Sequence, residues 1–173
     1  RLADAGCEIV RVAVRDEEDA RAVRAVKDGS PLPVVADIHF SAKLAVIAVE
    51  NGADKVRINP GNVGGEAQVK LVADCVKAHG VPVRVGSNTG SIEKSFLEKY
   101  GRSAEALVES ALANAALLEK YGVQDICISV KASSVPLTVQ AYRQLAARTD
   151  YPLHVGVTEA GTARMGLIKS AVG

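Results

Sequence analysis

The sequence predicts an α/β fold of consecutive βα units, an incomplete (β/α)8 TIM-type barrel. Three observations carry this expectation. Short β-branched runs alternate with longer helical stretches, the runs beginning at residues 9, 33, 55, 82, 126 and 153, a repeat that suits a strand plus its return helix. The runs are apolar at nearly every position, as in strands buried on both faces of a parallel sheet. Polar residues recur near the C-terminal end of each run. A barrel would converge them at one mouth, whereas an open doubly wound sheet would leave most of them under helices.

The opening RLADAGCEIV has neither an initiator Met nor the form of a signal peptide, and it reads as the last turn of a helix entering a strand. Residues 9–14 (IVRVAV) form the first run. Residues 16–27 place Ala20, Val23 and Val26 on one helical face closed by Gly29, with the surrounding charges read as solvated. The second run is 33–37 (PVVAD), and Ser41 is the expected N-cap of a helix ending near Gly52. The third, 55–58 (KVRI), leads through a glycine-rich loop into a helix over 65–79, stopped by Gly80. After the fourth run, 82–86, comes the longest irregular stretch, 87–102, and then a helix over 103–121 closed by Gly122. The fifth run is 126–130, followed by a helix over 135–148 and a sixth run at 153–157. The final GTARMGLIKSAVG is expected to be an amphipathic helix. Both ends look cut, and 173 residues correspond to about three quarters of the ~250 in a closed barrel.

Composition agrees with one globular domain: 48% of residues are hydrophobic and 24% charged, well above the apolar fraction of a disordered chain. Aromatics make up only 3%, with no Trp, so the core must be aliphatic. Twenty-one basic against 20 acidic residues give a net charge of +1, which argues against a polycationic nucleic-acid binder or an acidic tail. Cys7, Cys75 and Cys127 are widely spaced and lack a CxxC pair, so they read as reduced buried thiols rather than a disulfide framework or metal knuckle. No apolar run approaches the ~20 residues that span a bilayer.

The strand ends carry the chemistry. Arg11 lies in the first run, Asp37 and His39 end the second, Arg57 and Asn59 the third, and Arg84 and Asn88 the fourth. Ser129 and Lys131 end the fifth, and Thr158 and Glu159 follow the sixth. Residues two apart in a strand share a face. Arginines inside strands this apolar are costly unless they meet a shared anionic site. One strand arginine is commonly a structural ion pair. Four basic residues at the same end of successive strands, with only Asp37 and Glu159 as carboxylates there, instead suit a phosphate-bearing ligand. His39 has two open roles, orienting a neighbour or touching the ligand. The loops 59–65 and 86–91 are either tight turns or backbone cradles for anionic oxygens. Cys127 shares a face with Ser129 and Lys131 and reads as interior filler rather than a nucleophile.

The strings VADIHF, KVRINPGNVG, VRVGSNTGSIE, ISVKAS and HVGVTEAG, in this order, resemble the barrel domain of the 4-hydroxy-3-methylbut-2-enyl diphosphate synthases, iron–sulfur oxidoreductases of non-mevalonate isoprenoid biosynthesis. The resemblance implies a TIM barrel, here with strands two to seven. It also implies reductive ring opening and dehydration of 2-C-methyl-D-erythritol 2,4-cyclodiphosphate. Arg11, His39, Arg57, Arg84 and Lys131 match the family's diphosphate clamp. Asp37, Asn88 and Glu159 match its catalytic polar groups, with Thr158 as a further substrate contact. A [4Fe–4S] cluster, flavodoxin or ferredoxin as electron donor, and a homodimer are also implied. So is a cytoplasmic location in bacteria, or a plastid one in a photosynthetic eukaryote. The family's cluster ligands sit in a C-terminal domain whose pattern does not occur in these 173 residues, so this segment alone is expected to be inactive. Two other readings are a phosphate-ligand binding module without redox chemistry and a pterin-binding barrel of the dihydropteroate synthase type.

Overall fold

A computed structural model describes residues 1–173. Its strands are β1 (Val10–Val14), β2 (Val34–Ile38), β3 (Lys55–Ile58), β4 (Val83–Asn88) and β5 (Ile126–Lys131). The helices are α1 (Glu17–Asp28), α2 (Ala42–Glu50), α3 (Glu66–His79), α4 (Lys94–Tyr100), α5 (Ala104–Lys120), α6 (Val135–Ala146) and α7 (Ala163–Val172). The strands lie in one sheet in chain order, and both β1–β2 and β2–β3 pair in parallel. The chain divides into two compact units, Arg1–Arg84 with Ala116–Ile126 and Val85–Ala115 with Cys127–Gly173.

In the first unit, residues 1–7 form a hydrogen-bonded turn that leads toward β1. Asp16 caps α1, its carboxylate accepting the Asp19 N–H at 2.9 Å, and three acidic residues in the first turn complement the helix dipole. Ser41 caps α2 through the Leu44 N–H as expected. Gly80 ends α3 at φ 64°, a left-handed conformation that costs glycine nothing. Val34, Ala36, Ile38, Val56 and Ile58 of the strands and Ala45, Ala48, Val69, Val72 and Val76 of the helices are buried, an aliphatic core as the composition requires.

The N-terminal end of the strands in this unit is fastened by Asp54. Its carboxylate accepts the Val34 N–H at 2.7 Å and Lys27 Nζ at 2.6 Å, joining α1, the start of β2 and the approach to β3. Burial pushes the Asp54 pKa up, but the Lys27 ammonium and the Val34 N–H together outweigh it and hold the group below the ordinary carboxylate range.

In the second unit, Val85, Ile92, Leu107, Val108, Ala111, Ile128, Val130, Ala141 and Leu145 form the core. The irregular stretch expected at 87–102 contains α4, a seven-residue helix with no buried side chain, too short and too polar to show a helical period. The sixth run makes a single parallel bridge, Ile128 to Leu153, rather than a full strand. The His154 carbonyl beside this bridge accepts the Tyr142 hydroxyl of α6. Helix α7 forms where expected, but Met165, Leu167, Ile168 and Val172 remain exposed on it. The three cysteines are free and half-buried rather than fully buried, and burial, with Glu50 nearby, pushes the Cys75 thiol up.

Asp54 carries a prediction with a definite sign. Its folded pKa is lowered, so its contribution is complete above the unfolded value near ~3.9 and fades as pH falls through the folded one. Asp54→Asn should cost about 1 kcal/mol at neutral pH. The difference from wild type should shrink to nothing as the pH falls through the folded pKa, read from urea unfolding midpoints across the pH range.

Candidate functional site

Strand register assembles a charged cluster in the first unit. Arg57 is the register partner of Asp37, and Ala13, two residues from Arg11, is its partner on the other side. Partners in adjacent parallel strands project from the same face, as do residues two apart in one strand. Arg11, Asp37 and Arg57 therefore share one face of the sheet at adjacent strands.

The carboxylate of Asp37 is the centre. Arg57 Nη1 donates to its Oδ1 at 3.3 Å. Arg11 Nε lies 3.5 Å from Oδ2, and His39 Nε2 lies 3.8 Å from the same oxygen. Asp37 and Arg57 are buried, whereas the side chains of Arg11 and His39 are about half exposed, so the cluster runs from the interior to the surface. Two guanidiniums face one carboxylate, leaving a surplus positive charge. Phe40, 76% exposed, stands beside His39 with ring centroids 5.8 Å apart. Arg84 is buried in β4.

The other residues at strand ends have local partners. Asn59 is buried, and its side chain accepts the Gly61 N–H at 3.2 Å, closing a short turn over Pro60–Asn62. In the second unit, Ser129 donates to the Val85 carbonyl at 3.4 Å. Asn88 ends β4, half-buried, and its N–H donates to Ser91 Oγ at 3.0 Å. Both glycine-rich loops are thus shaped by their own hydrogen bonds. The Thr89 N–H donates to the Lys131 carbonyl at 3.2 Å, keeping the end of β4 beside the end of β5. Lys131 crosses Gly156 so closely that a Cβ there would lie 3.2 Å from its Nζ, so this glycine leaves room for the lysine. The Thr158 N–H donates to the Ala132 carbonyl at 3.3 Å. Glu159 is exposed at φ 48°, a positive value for a non-glycine residue, held at a cost of about 1 kcal/mol.

A second polar group in this unit was not singled out by sequence reasoning. The Glu93 carboxylate accepts Ser110 Oγ at 2.6 Å and Asn114 Nδ2 at 2.8 Å, and Ser110 Oγ lies 3.1 Å from Ser87 Oγ. The available signal is in α5: Ser110 and Asn114, four apart, interrupt the otherwise apolar stripe of Leu107, Val108, Ala111 and Ala115.

Cys75 lies in α3 and Cys127 in β5, while Cys7 precedes β1, and no group of three His, Cys, Asp or Glu side chains is placed to hold a metal ion. The residues present do not fit a [4Fe–4S] cluster, which takes several thiolates at one place. No helix is long and apolar enough to cross a membrane.

The cluster geometry predicts how Asp37→Asn should behave. The change keeps the shape but strips the buried Arg57 of its countercharge, and should cost the intact protein about 3 kcal/mol. Millimolar phosphate should recover part of that loss by supplying an anion, read as a rise in the thermal unfolding midpoint. Wild-type stability in phosphate-free buffer would contradict the assignment.

Comparison with known proteins places the sequence in a family. The GcpE TIM-barrel domain model matches residues 1–173. A protein of Caldanaerobacter subterraneus named 4-hydroxy-3-methylbut-2-en-1-yl diphosphate synthase (flavodoxin) is 53% identical over 100% of this chain and 49% of its own length. One of the same name from Geobacter sulfurreducens is 56% identical over 99% of this chain and 49% of its own length. The chain thus spans about half the length of these curated relatives. Among solved structures, a dihydropteroate synthase from Coxiella burnetii in complex with pteroic acid superposes with a TM-score of 0.60 at 14% identity, covering 88% of this chain and 61% of that one. At that identity the likeness concerns the fold alone. With a family model matched along every residue and relatives more than half identical, the chain belongs to the GcpE TIM-barrel domain family.

Proposed function

We propose that the protein containing this domain opens the ring of 2-C-methyl-D-erythritol 2,4-cyclodiphosphate and dehydrates it to 4-hydroxy-3-methylbut-2-enyl diphosphate, a step of isoprenoid biosynthesis in the bacterial cytoplasm. The observation that carries this reading is identity of 53 to 56% along the whole chain with relatives bearing that synthase name. Two electrons enter, the ring C–O bond to phosphate breaks, and the C3 hydroxyl departs as water. Flavodoxin, part of the relatives' printed name, is the proposed donor. The proposal includes a [4Fe–4S] cluster whose ligands are not among these 173 residues, and a homodimeric assembly.

The part assigned to this chain is holding the substrate. Arg11, Arg57 and His39, gathered at Asp37, supply cationic and hydrogen-bonding groups for one end of the diphosphate, with Arg84 and Lys131 as further members of the clamp. Guanidinium forks match phosphate oxygens in pairs and keep their charge when partly buried. In the free protein Asp37 occupies Arg57 and Arg11, so an arriving diphosphate competes for their donors and the carboxylate is left to accept a substrate hydroxyl. Asn88 and Thr158 are assigned to the hydroxyl-bearing carbons. Glu159, exposed and held at an unusual backbone angle, is assigned to the C3 hydroxyl, where a carboxylate can move the proton that leaves with water.

These roles separate in kinetics. In the intact, cluster-loaded protein assayed anaerobically, Glu159→Gln should keep substrate affinity and lose roughly 100-fold or more in kcat. Arg57→Ala should weaken substrate binding by about 10- to 100-fold, as expected for a lost charge-assisted contact, measured by calorimetry. Unchanged affinity would remove Arg57 from the clamp. No turnover of the cyclodiphosphate by a cluster-loaded wild type would overturn the proposed reaction.

A further inference from the structure

We propose that Glu93 is a positioning residue, acting through Ser110 to close the base of the loop 88–92 and hold Asn88 where a bound substrate needs it. The proposal rests on the reading that Asn88 touches substrate, and it concerns a carboxylate to which that reading gives no role. Its geometry is complete within the second unit. Ser87 ends the buried part of β4 just before Asn88, and Glu93 stands five residues after Asn88 at the entrance to α4. The Ser110 hydroxyl bridges both sides: it donates to Glu93 Oε2 at 2.6 Å and lies 3.1 Å from Ser87 Oγ. With the Ser110 proton directed at the carboxylate, Ser87 is the donor to Ser110. The chain Ser87 to Ser110 to Glu93 is therefore polarised in one direction.

Asn114 holds the other carboxylate oxygen at 2.8 Å and donates to the Ser110 carbonyl at the same distance, fixing its own amide orientation. Ser87, Ser110 and Asn114 are each at most 4% exposed. Such buried polar groups are kept at a cost unless each is satisfied. Helix α5 is the post to which both ends of the loop are tied.

Glu93 is not explained as a helix cap. It sits at the N-cap position of α4, where an acidic side chain usually turns onto the free N–H groups of the first turn. Here it makes no such bond. The carboxylate bonds α5 instead, so α4 gains no side-chain cap from it and the loop base gains a tie. Inside the loop, the Asn88 N–H donates to Ser91 Oγ at 3.0 Å and the Ser91 N–H to the Asn88 carbonyl at 2.8 Å. Buried Ile92 seats the remainder. Backbone position at Asn88 is therefore coupled to Glu93 through a short closed circuit.

The test compares Glu93→Ala, Glu93→Gln, Ser110→Ala and Asn88→Ala in the full-length, cluster-loaded protein. The readouts are amide hydrogen exchange over residues 88–92, kcat and KM for the cyclodiphosphate, and the unfolding midpoint. Glu93→Ala and Ser110→Ala should speed exchange in the loop and lower kcat/KM by about 10- to 100-fold, the cost of a misplaced contact. Glu93→Gln should recover most of both, since its amide can accept from Asn114 and donate to Ser110. Unchanged loop exchange in Glu93→Ala and Ser110→Ala overturns the proposal. So does a lowered unfolding midpoint with kcat/KM retained below the transition, because that marks a merely structural tie. If Asn88→Ala retains full activity, the assignment of Asn88 fails, while loop exchange still decides whether Glu93 holds the loop.

Discussion

The pairing of Asp37 with Arg57 is the constraint around which the rest of the first unit is arranged. A guanidinium buried in a strand flanked by Val56 and Ile58 is unfavourable by several kcal/mol unless a countercharge meets it there. Register places that countercharge: Asp37 stands directly opposite Arg57, and Arg11 reaches the same carboxylate from the far side. The apolar strands that build the core thus also fix the cluster, because a slip of one residue would turn both charges into the helix-facing layer.

The two ends of the strands divide the labour. At the N-terminal ends, Asp54 joins Lys27 and the Val34 N–H, a tie between elements that leaves little for a ligand to use. At the C-terminal ends, one carboxylate serves two guanidiniums and an imidazole, and positive charge is left over. An ion pair that satisfies itself contributes stability. One left with surplus cationic donors can be redirected to an anion. The polar groups of the second unit follow the same division: Tyr142 and Thr158 bond the backbone, whereas Lys131 lies over Gly156 and Glu159 stands in solvent on a strained backbone.

Much of this was legible in the chain itself. Strand spacing, apolar runs and the helix ends at Ser41 and Gly80 each follow from local chemistry, and each occurs within a residue or two of its expected place. The alternation within strands was enough to put Arg11, Asp37, His39 and Arg57 forward together. Helix α4 was not legible, since seven residues with no buried face carry no period. Nor was the single-bridge pairing of the sixth run, beside which the Tyr142 hydroxyl of α6 bonds the His154 carbonyl. The cysteines were expected to be buried, and each instead lies half-buried.

Local pattern therefore set the order of elements, the aliphatic core and the list of polar residues at strand ends, because helical and strand periods, capping and turn chemistry act over a few neighbours. Tertiary structure decided which of those polar residues meet. Asp37 and Arg57 are 20 apart in sequence and Glu93 and Ser110 are 17 apart. Whether such groups form a bond depends on register and on helix docking, which no short window of sequence contains. The same reason explains why Glu93 read only as part of a motif: its partners lie on α5, and the bond between them exists only once that helix packs against β4.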